Sequence, residues 1–433
     1  PTTACRSTPT RRTEPPPLGS YTVRMPDPVT FRPDDPAFLH DPYPTYRQLR
    51  ETDPMHFHAP WNAWVVTRYR DVDALLRDKR LGRVMDGVEK RPANPDHAPF
   101  DRIQAGSLLE IEPPDHTRIK TAVHEVFTPK HVRALGERIE ALAARQADAL
   151  AARIDEDGRA DLIRVFAEPI PVTVIADLLG VPEADRHRLL PWSKGIIQMF
   201  EPERTPEQER EAVDAARDFA AYVRWLAARK MEAPADDLIS RMVGVREDDP
   251  ERLSEDEMVA NAILFLNAGH EAVVNVLGNG VKALFEHPEA RAALQDDREL
   301  LPRAVEEMMR FDTPLQFFER FALEDLTVTG DDGVERQFEA GTKFALYYAS
   351  ANHDAAVFEA PERFDVRRHP NPHVAFGLGV HYCIGAPLAR LELTRAVDAL
   401  LTRLPDLAPA ESTYAYVPKN VFRYLEVLPV GRA

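Results

Sequence analysis

The sequence predicts a mainly α-helical fold with a smaller β-rich region, and three observations carry that reading. Helical patterning dominates from about Pro44 onward. Stretches with strand character are confined to one early pair and the C-terminal quarter. A hydrophobic fraction of 44% supplies a substantial core. The 433 residues alone would suggest about two or three domains. No linker of the usual kind divides the chain, so residues 29–433 are expected to form a single domain. Residues 1–28, rich in Pro, Thr and Arg and lacking an apolar signal region, read as a disordered lead-in.

In chain order, residues 44–50 predict a short first helix, followed by a strand pair at 56–58 and 63–66. Residues 80–108 are polar, Pro-bearing and aperiodic, and read as a long loop, a feature uncommon unless functional. Helices are predicted over 116–127, 130–155, 169–179, 183–200 and 205–231. The charged stretch 201–211, with two prolines, reads equally as a mobile corner or a solvated surface. The longest helix has the clearest start: Ser254-Glu255-Asp256-Glu257 is a capping box, with Ser254 as N-cap and Glu257 at the third helical position. Its pattern runs to about Glu286, where His287-Pro288 stops it. Roughly 30 helical residues span about 45 Å, enough to cross the domain. Strand character returns at 326–328, 343–348 and 424–428, and a last helix is predicted from Ala386 to about Arg403.

A net charge of −17 argues against broad nucleic-acid or membrane-surface binding, without excluding a local basic patch. Only Cys5 and Cys383 are present, which gives no disulfide framework and fits a reducing cytoplasm. No run approaches the roughly 20 apolar residues of a membrane span.

The most informative segment is Phe376-Gly377-Leu378-Gly379-Val380-His381-Tyr382-Cys383-Ile384-Gly385. It sets Cys383 on a glycine-punctuated loop directly before the last helix. A helix N-terminus offers unpaired N–H groups and partial positive charge, which favour a sulfur there as a thiolate and soft metal ligand. Gly379 and Gly385 let the backbone pass close to something flat and large. An ordinary buried thiol is the default for a lone cysteine. The Phe-x-x-Gly-x-x-x-Cys-x-Gly spacing, however, resembles the haem-ligand loop of the cytochromes P450. The resemblance implies the P450 fold, haem b (iron protoporphyrin IX) as cofactor and Cys383 as iron ligand, with Phe376, Gly379, His381 and Gly385 around the cofactor.

The centre of the longest helix reads Leu264-Phe265-Leu266-Asn267-Ala268-Gly269-His270-Glu271-Ala272-Val273. Gly269 costs about 1 kcal/mol of helix stability relative to Ala, and Glu271 is an acid in an apolar setting. A packing glycine and a snorkelling carboxylate account for both equally well in isolation. Beside Cys383, the segment resembles the P450 distal helix, whose pattern is Ala-Gly-x-Asp/Glu-Thr. The resemblance implies that Ala268 and Gly269 wall the groove over the iron and that Glu271 feeds protons. Ala272 departs from the pattern, because it stands where a Thr hydroxyl usually assists proton delivery, and a methyl group neither donates nor accepts. Three explanations stay open. A hydroxyl on the substrate holds the proton-carrying water; or Glu271 with ordered water, helped by His270 or Asn275, suffices; or the enzyme couples poorly with dioxygen and uses peroxide. The first is favoured.

Glu307 and Arg310, three apart on one helix face, would be a surface pair if viewed alone. With Arg363 of Pro361-Glu362-Arg363-Phe364 they resemble the P450 Glu-x-x-Arg and Pro-Glu-Arg-Phe elements, which implies an ion-pair lock on the cysteine segment. Asp115-His116-Thr117-Arg118-Ile119-Lys120 resembles the segment whose His and later base meet the haem propionates. Lys120 stands where Arg is commoner, and Arg118 substitutes for it or faces the redox partner. Arg320, in Phe318-Glu319-Arg320-Phe321-Ala322, resembles the next propionate arginine, and His381 is the remaining candidate.

The resemblance implies a monooxygenase fed by a separate ferredoxin and an NAD(P)H-dependent ferredoxin reductase, docking where Arg118, Lys120 and Arg390 gather. It would hydroxylate, epoxidise or dealkylate a small, largely apolar organic substrate of secondary metabolism. By analogy the pocket is lined by residues 80–108, 197–200, 263–272 and 313–318, and closed by the turn near 420–422. Phe200, Phe265, Leu315, Phe317 and Phe318 would be its apolar lining. Two other classes are weighed against this one. Ala272 keeps open a peroxide-driven peroxygenase, and a haem sensor would need ligand and pocket but would form no product.

Overall fold

A computed structural model describes residues 30–85, 87, 94–201 and 204–433, with the side chains of 125, 126 and 129 left aside. The expectation for residues 1–28 lies outside these, as do parts of 80–108 and of 201–211. Helix dominates, and its axis is the helix Glu255–Glu286, here the long helix. Its start follows the sequence: the Ser254 hydroxyl accepts from the Glu257 N–H at 3.2 Å, and the Glu257 carboxylate accepts from the Ser254 N–H at 2.8 Å. Two of the four orphan N–H groups are thereby satisfied. At the far end His287, ahead of Pro288, caps the helix in a non-helical conformation.

The long helix is apolar on nearly every face because neighbours surround it. It packs against Pro169–Leu179, Pro206–Glu232, Leu301–Phe311 and Ala386–Arg403, and the last of these also lies along Gly136–Asp157. Two clusters result, meeting along the long helix. Val273–Leu284 joins the cluster that holds the cysteine helix Ala386–Arg403. Met258–Leu266 joins the cluster formed with Ala98–Ala105 and Pro206–Glu232.

Five short strands form the main sheet, in the order Met55–His58, Ala63–Val66, Lys343–Leu346, Phe318–Ala322, Leu81–Gly82. All neighbours are antiparallel except Ala63–Val66 with Lys343–Leu346, where Val65 faces Ala345. Alternation along Phe318–Ala322 matters for the site, because it sends successive side chains to opposite sides of the sheet.

Four expectations need correction. Residues 80–108 contain a strand, a turn and the helix Ala98–Ala105; Asn94 accepts from the Asp96 N–H, Pro95 starts the turn, and Phe100 and Ile103 bury one face. Residues 130–155 are two helices, Pro129–Ala134 and Gly136–Asp157, broken at Leu135 beside the poor helix former Gly136. Residues 183–200 are an α-helix, Leu189–Ile197, between two 3₁₀ turns. The last paired strand is Pro429–Arg432, whereas 424–428 contributes only the isolated bridge of Leu425 to Tyr416. Helices without an expectation include Pro36–His40, which precedes the one expected to come first, and Tyr69–Arg77, Leu238–Asp248 and Pro288–Asp296. Among the described residues, no helix is long and apolar enough to cross a membrane.

Candidate active site

The loop before the cysteine helix turns through Gly377 and Gly379, with φ of +63° and +72°. A Cβ on Gly379 would also lie 2.4 Å from the Leu76 carbonyl oxygen, so the position demands glycine on two counts. The Cys383 N–H donates to the Phe376 carbonyl at 3.1 Å and closes the loop. The backbone N–H groups of Gly385 and Ala386 donate toward the sulfur. Cys383 keeps accessible surface although it lies deep among protein atoms. Both hold for a thiol on the wall of an internal space. Burial pushes the thiol above its ordinary range, more than the two N–H groups and the Arg390 and Lys120 charges pull it down. The helix terminus alone therefore does not make the thiolate that the sequence suggested. A cation seated on the sulfur would.

On the long helix, Ala268 and Ala272 are exposed one turn apart on the same face, Gly269 and Glu271 are half-buried, and the rest of the centre from Phe265 to Val276 is buried. Leu264, a turn earlier, is half-buried. An accessible stripe of alanine on a helix packed on its other sides marks the edge of an internal space. A Cβ on half-buried Gly269 would meet Ile175 of Pro169–Leu179 at 3.1 Å, so the missing side chain lets the two helices approach there. Glu271 keeps 16% of its side chain exposed. His270 is buried, with Nδ1 3.0 Å from the Leu266 carbonyl, an acceptor, which assigns the proton to Nδ1. Its Nε2 lies 3.4 Å from a Glu271 oxygen but without hydrogen-bond alignment. From Leu264 to Val276 no side chain carries a hydroxyl.

Basic groups gather beside the cysteine loop. His116 is buried, its ring 4.7 Å from that of His381, and its Nδ1 has no partner among the described residues. His381 Nε2 is 3.1 Å from both oxygens of Glu112. Lys120 donates to the Val380 carbonyl at 2.9 Å. Arg320 is buried and hydrogen-bonded to the Glu319 carbonyl. Burial first, then the His381 and Lys120 charges, pushes His116 down to about 4. Burial likewise pulls down Arg320, with Arg83 adding repulsion. Arg118 does not belong to this group. It donates to both oxygens of Glu257, at 3.1 and 2.6 Å, and to Asp115, which ties its helix to the start of the long one. Nor do the three cations expected to greet a redox partner stand free, since Arg390 is held by Glu306 at 2.6 and 2.9 Å.

The ion-pair lock exists with a different second arginine. Glu307 and Arg310 are fully buried and bidentate, at 2.8 Å twice. Arg368 adds contacts to Glu307 at 3.1 and 3.2 Å, and Asn371 and the Asp365 N–H complete the cage. Arg363 is 67% exposed and pairs with Asp365. Of the expected lining, Phe200, Leu315 and Phe318 are half-buried. Phe265 packs into the core on Phe127, and Phe317 stacks between Trp61 and Tyr347 on the other side of the strand. Gln316 also points away, bonding Tyr46 and the Thr313 carbonyl. Sequence reasoning missed Arg83, which covers the Phe318 ring at 3.7 Å, and Glu112. Glu112 stands four residues before His116, one helical turn from a residue already singled out.

Haem fits this arrangement. An unpartnered His116 nitrogen and the buried Arg320 guanidinium suit two propionates, an accessible thiol suits iron, and the alanine stripe suits a flat ring. Comparison with known proteins agrees. Residues 84–405 match the family model for cytochrome P450. The chain is 35% identical over 420 residues to the polyketide biosynthesis cytochrome P450 PksS of Bacillus subtilis (strain 168), covering 93% of this chain and 98% of that one. It is 39% identical over 368 residues to the mycinamicin IV hydroxylase/epoxidase of Micromonospora griseorubida, covering 84% and 88%. The crystal structure of P450BioI in complex with hexadec-9Z-enoic acid ligated acyl carrier protein aligns with a TM-score of 0.84 at 32% identity, over 92% of this chain and 99% of that one. The chain is a haem b enzyme and belongs to the cytochrome P450 monooxygenase family.

Proposed function

We propose that residues 29–433 act as one haem domain that oxidises a small, largely apolar organic substrate, and that this substrate supplies the hydroxyl missing at Ala272. Hydroxylation, epoxidation or dealkylation is the outcome, with electrons from a separate ferredoxin and its NAD(P)H-dependent reductase. Relatives named for polyketide biosynthesis and for mycinamicin IV support a polyketide-type substrate. When bound, haem ligated by a cysteine thiolate supplies the dioxygen activation. Cys383 holds the iron, and the N–H groups of Gly385 and Ala386 spread its charge. His116, Arg320 and His381 take the propionates, while Lys120 holds the loop at Val380. Phe200, Leu315 and Phe318 orient the substrate and exclude water. Glu271 carries protons to the Ala268–Ala272 face, and a substrate hydroxyl passes them on.

The observation that carries this reading is the exposed Ala268–Ala272 stripe on a helix segment without a single hydroxyl. The test is a spin-state titration of the ferric protein with matched apolar compounds, with and without a hydroxyl near the oxidisable carbon. Binding confined to hydroxylated members supports it, and equal binding counts against it. The same stripe favours a second reading, peroxide-driven turnover, which predicts product from peroxide without any reductase.

A further inference from the structure

Asn352 stands where three parts of the site meet. It follows the short helix Tyr348–Ala351 and is wholly buried. Its Oδ1 accepts from the Val374 N–H at 2.8 Å, and its Nδ2 donates to the Thr313 hydroxyl at 2.8 Å. Its backbone carbonyl accepts from the Arg310 guanidinium at 2.9 Å. A backbone N–H can only donate, so the amide atom facing Val374 is the oxygen, and the nitrogen is left for Thr313. Thr313 and Val374 are themselves wholly buried, so solvent replaces neither bond.

Each bond leads to a different segment. Val374 enters the cysteine loop: its carbonyl accepts the Gly377 N–H at 2.8 Å, and the loop then closes through the Cys383 N–H on the Phe376 carbonyl. Thr313 opens the segment that carries Leu315 and Phe318, and its hydroxyl donates back to the Met309 carbonyl at 2.9 Å. Arg310 belongs to the ion-pair lock. The cage around Glu307 reaches Asn371 but not Val374. One neutral side chain therefore sets the entry of the cysteine loop against the start of the pocket segment, with a donor and an acceptor that no other residue type presents in this geometry at this size.

Resting on the reading that Cys383 holds the iron, we infer that Asn352 is a positioning residue for the iron ligand, which keeps the Cys383 loop seated against the pocket segment through the Val374 N–H. Without Oδ1 that N–H is buried and unpaired at the point where the loop begins.

The test uses the haem-loaded full chain, reduced and exposed to carbon monoxide. The Soret band of the carbonyl complex tells an iron whose thiolate ligand is in place from one that has lost it. Asn352→Leu, close in volume, removes both amide bonds, whereas Asn352→Asp keeps an oxygen for the Val374 N–H. Leu226→Ala, in the cluster formed with Pro206–Glu232, controls for lost stability alone. At one temperature below every melting midpoint, the thiolate-ligated band should decay about five-fold or more faster in Asn352→Leu than in the unmodified chain. Asn352→Asp and Leu226→Ala should stay close to the unmodified rate even where their midpoints fall. Decay as fast in Leu226→Ala as in Asn352→Leu would reduce Asn352 to a contributor of stability and overturn the inference. Equal decay in the Leu and Asp variants, or an unmodified rate in both, would overturn it too. Should Asn352→Leu take up no haem, full loading of Asn352→Asp supports the Val374 bond, and failure of both variants to load counts against it. An unmodified chain without the thiolate-ligated band would instead sink the assignment of Cys383 to the iron.

Discussion

Glu307→Gln is the perturbation whose cost the structure defines best. The carboxylate receives two bonds of 2.8 Å from Arg310, contacts of 3.1 and 3.2 Å from Arg368, and further bonds from Asn371 and the Asp365 N–H. Glu307 and Arg310 are wholly buried, so the amide would leave two guanidiniums out of water without their counter-charge. Breaking a buried pair from one side costs about 3–5 kcal/mol. With an unfolding entropy of about 2.1 cal/mol/K per residue, each kcal/mol moves the melting midpoint of a chain this long by about 1 °C. A fall of roughly 3–6 °C is expected, read by tryptophan fluorescence at matched scan rates. Arg368→Ala should produce a fall of similar size. Arg363→Ala should produce none, since that side chain is exposed and pairs with Asp365 rather than Glu307. If Arg363→Ala lowers the midpoint as far as Arg368→Ala, or Glu307→Gln leaves it in place, the assignment of the lock is wrong.

Gly379→Ala forces a side chain onto a φ of +72° and to within 2.4 Å of the Leu76 carbonyl, so haem content per chain should drop sharply; full occupancy would show that the loop yields. His116 gives a pH signature in the haem-free chain. Its folded pKa, about 4, lies below the unfolded value, so the unfolded chain takes up the proton first. Its contribution to stability is complete above about pH 6.5 and drains away as the pH falls toward about 4. His116→Gln should flatten that part of the denaturation profile, and an unchanged profile would contradict the burial argument. Arg118→Ala should weaken the helix 115–123 against the long helix without altering haem content; haem loss would return Arg118 to the cofactor.

Much of the frame was legible because the signals are local. A capping box and a His-Pro stop are chemical statements about one helix end, and both ends of the long helix lie where they were read. The cysteine loop was legible because left-handed glycines leave a spacing. What escaped was tertiary choice. Arg363 and Arg368 lie five residues apart, and only the fold decides which guanidinium turns inward. Phe317 and Phe318 are equally apolar, and strand alternation sends one to the Trp61–Tyr347 stack and the other under Arg83. Arg118 follows the His116 motif in sequence yet is claimed by Glu257, a capping residue more than a hundred positions away. The helix Ala98–Ala105 is too short for its period to stand out.

The central claim is that a substrate hydroxyl does the work of the side chain absent at Ala272. It is tested most directly by the fraction of NADPH electrons that ends in product. That fraction should be measured for the hydroxylated substrate found in the spin-state screen and for its deoxy analogue, in the unmodified chain and in Ala272→Thr. The account predicts that the unmodified chain couples well only with the hydroxylated compound, and that Ala272→Thr restores coupling for the deoxy analogue. Equal coupling for both compounds in the unmodified chain would contradict it.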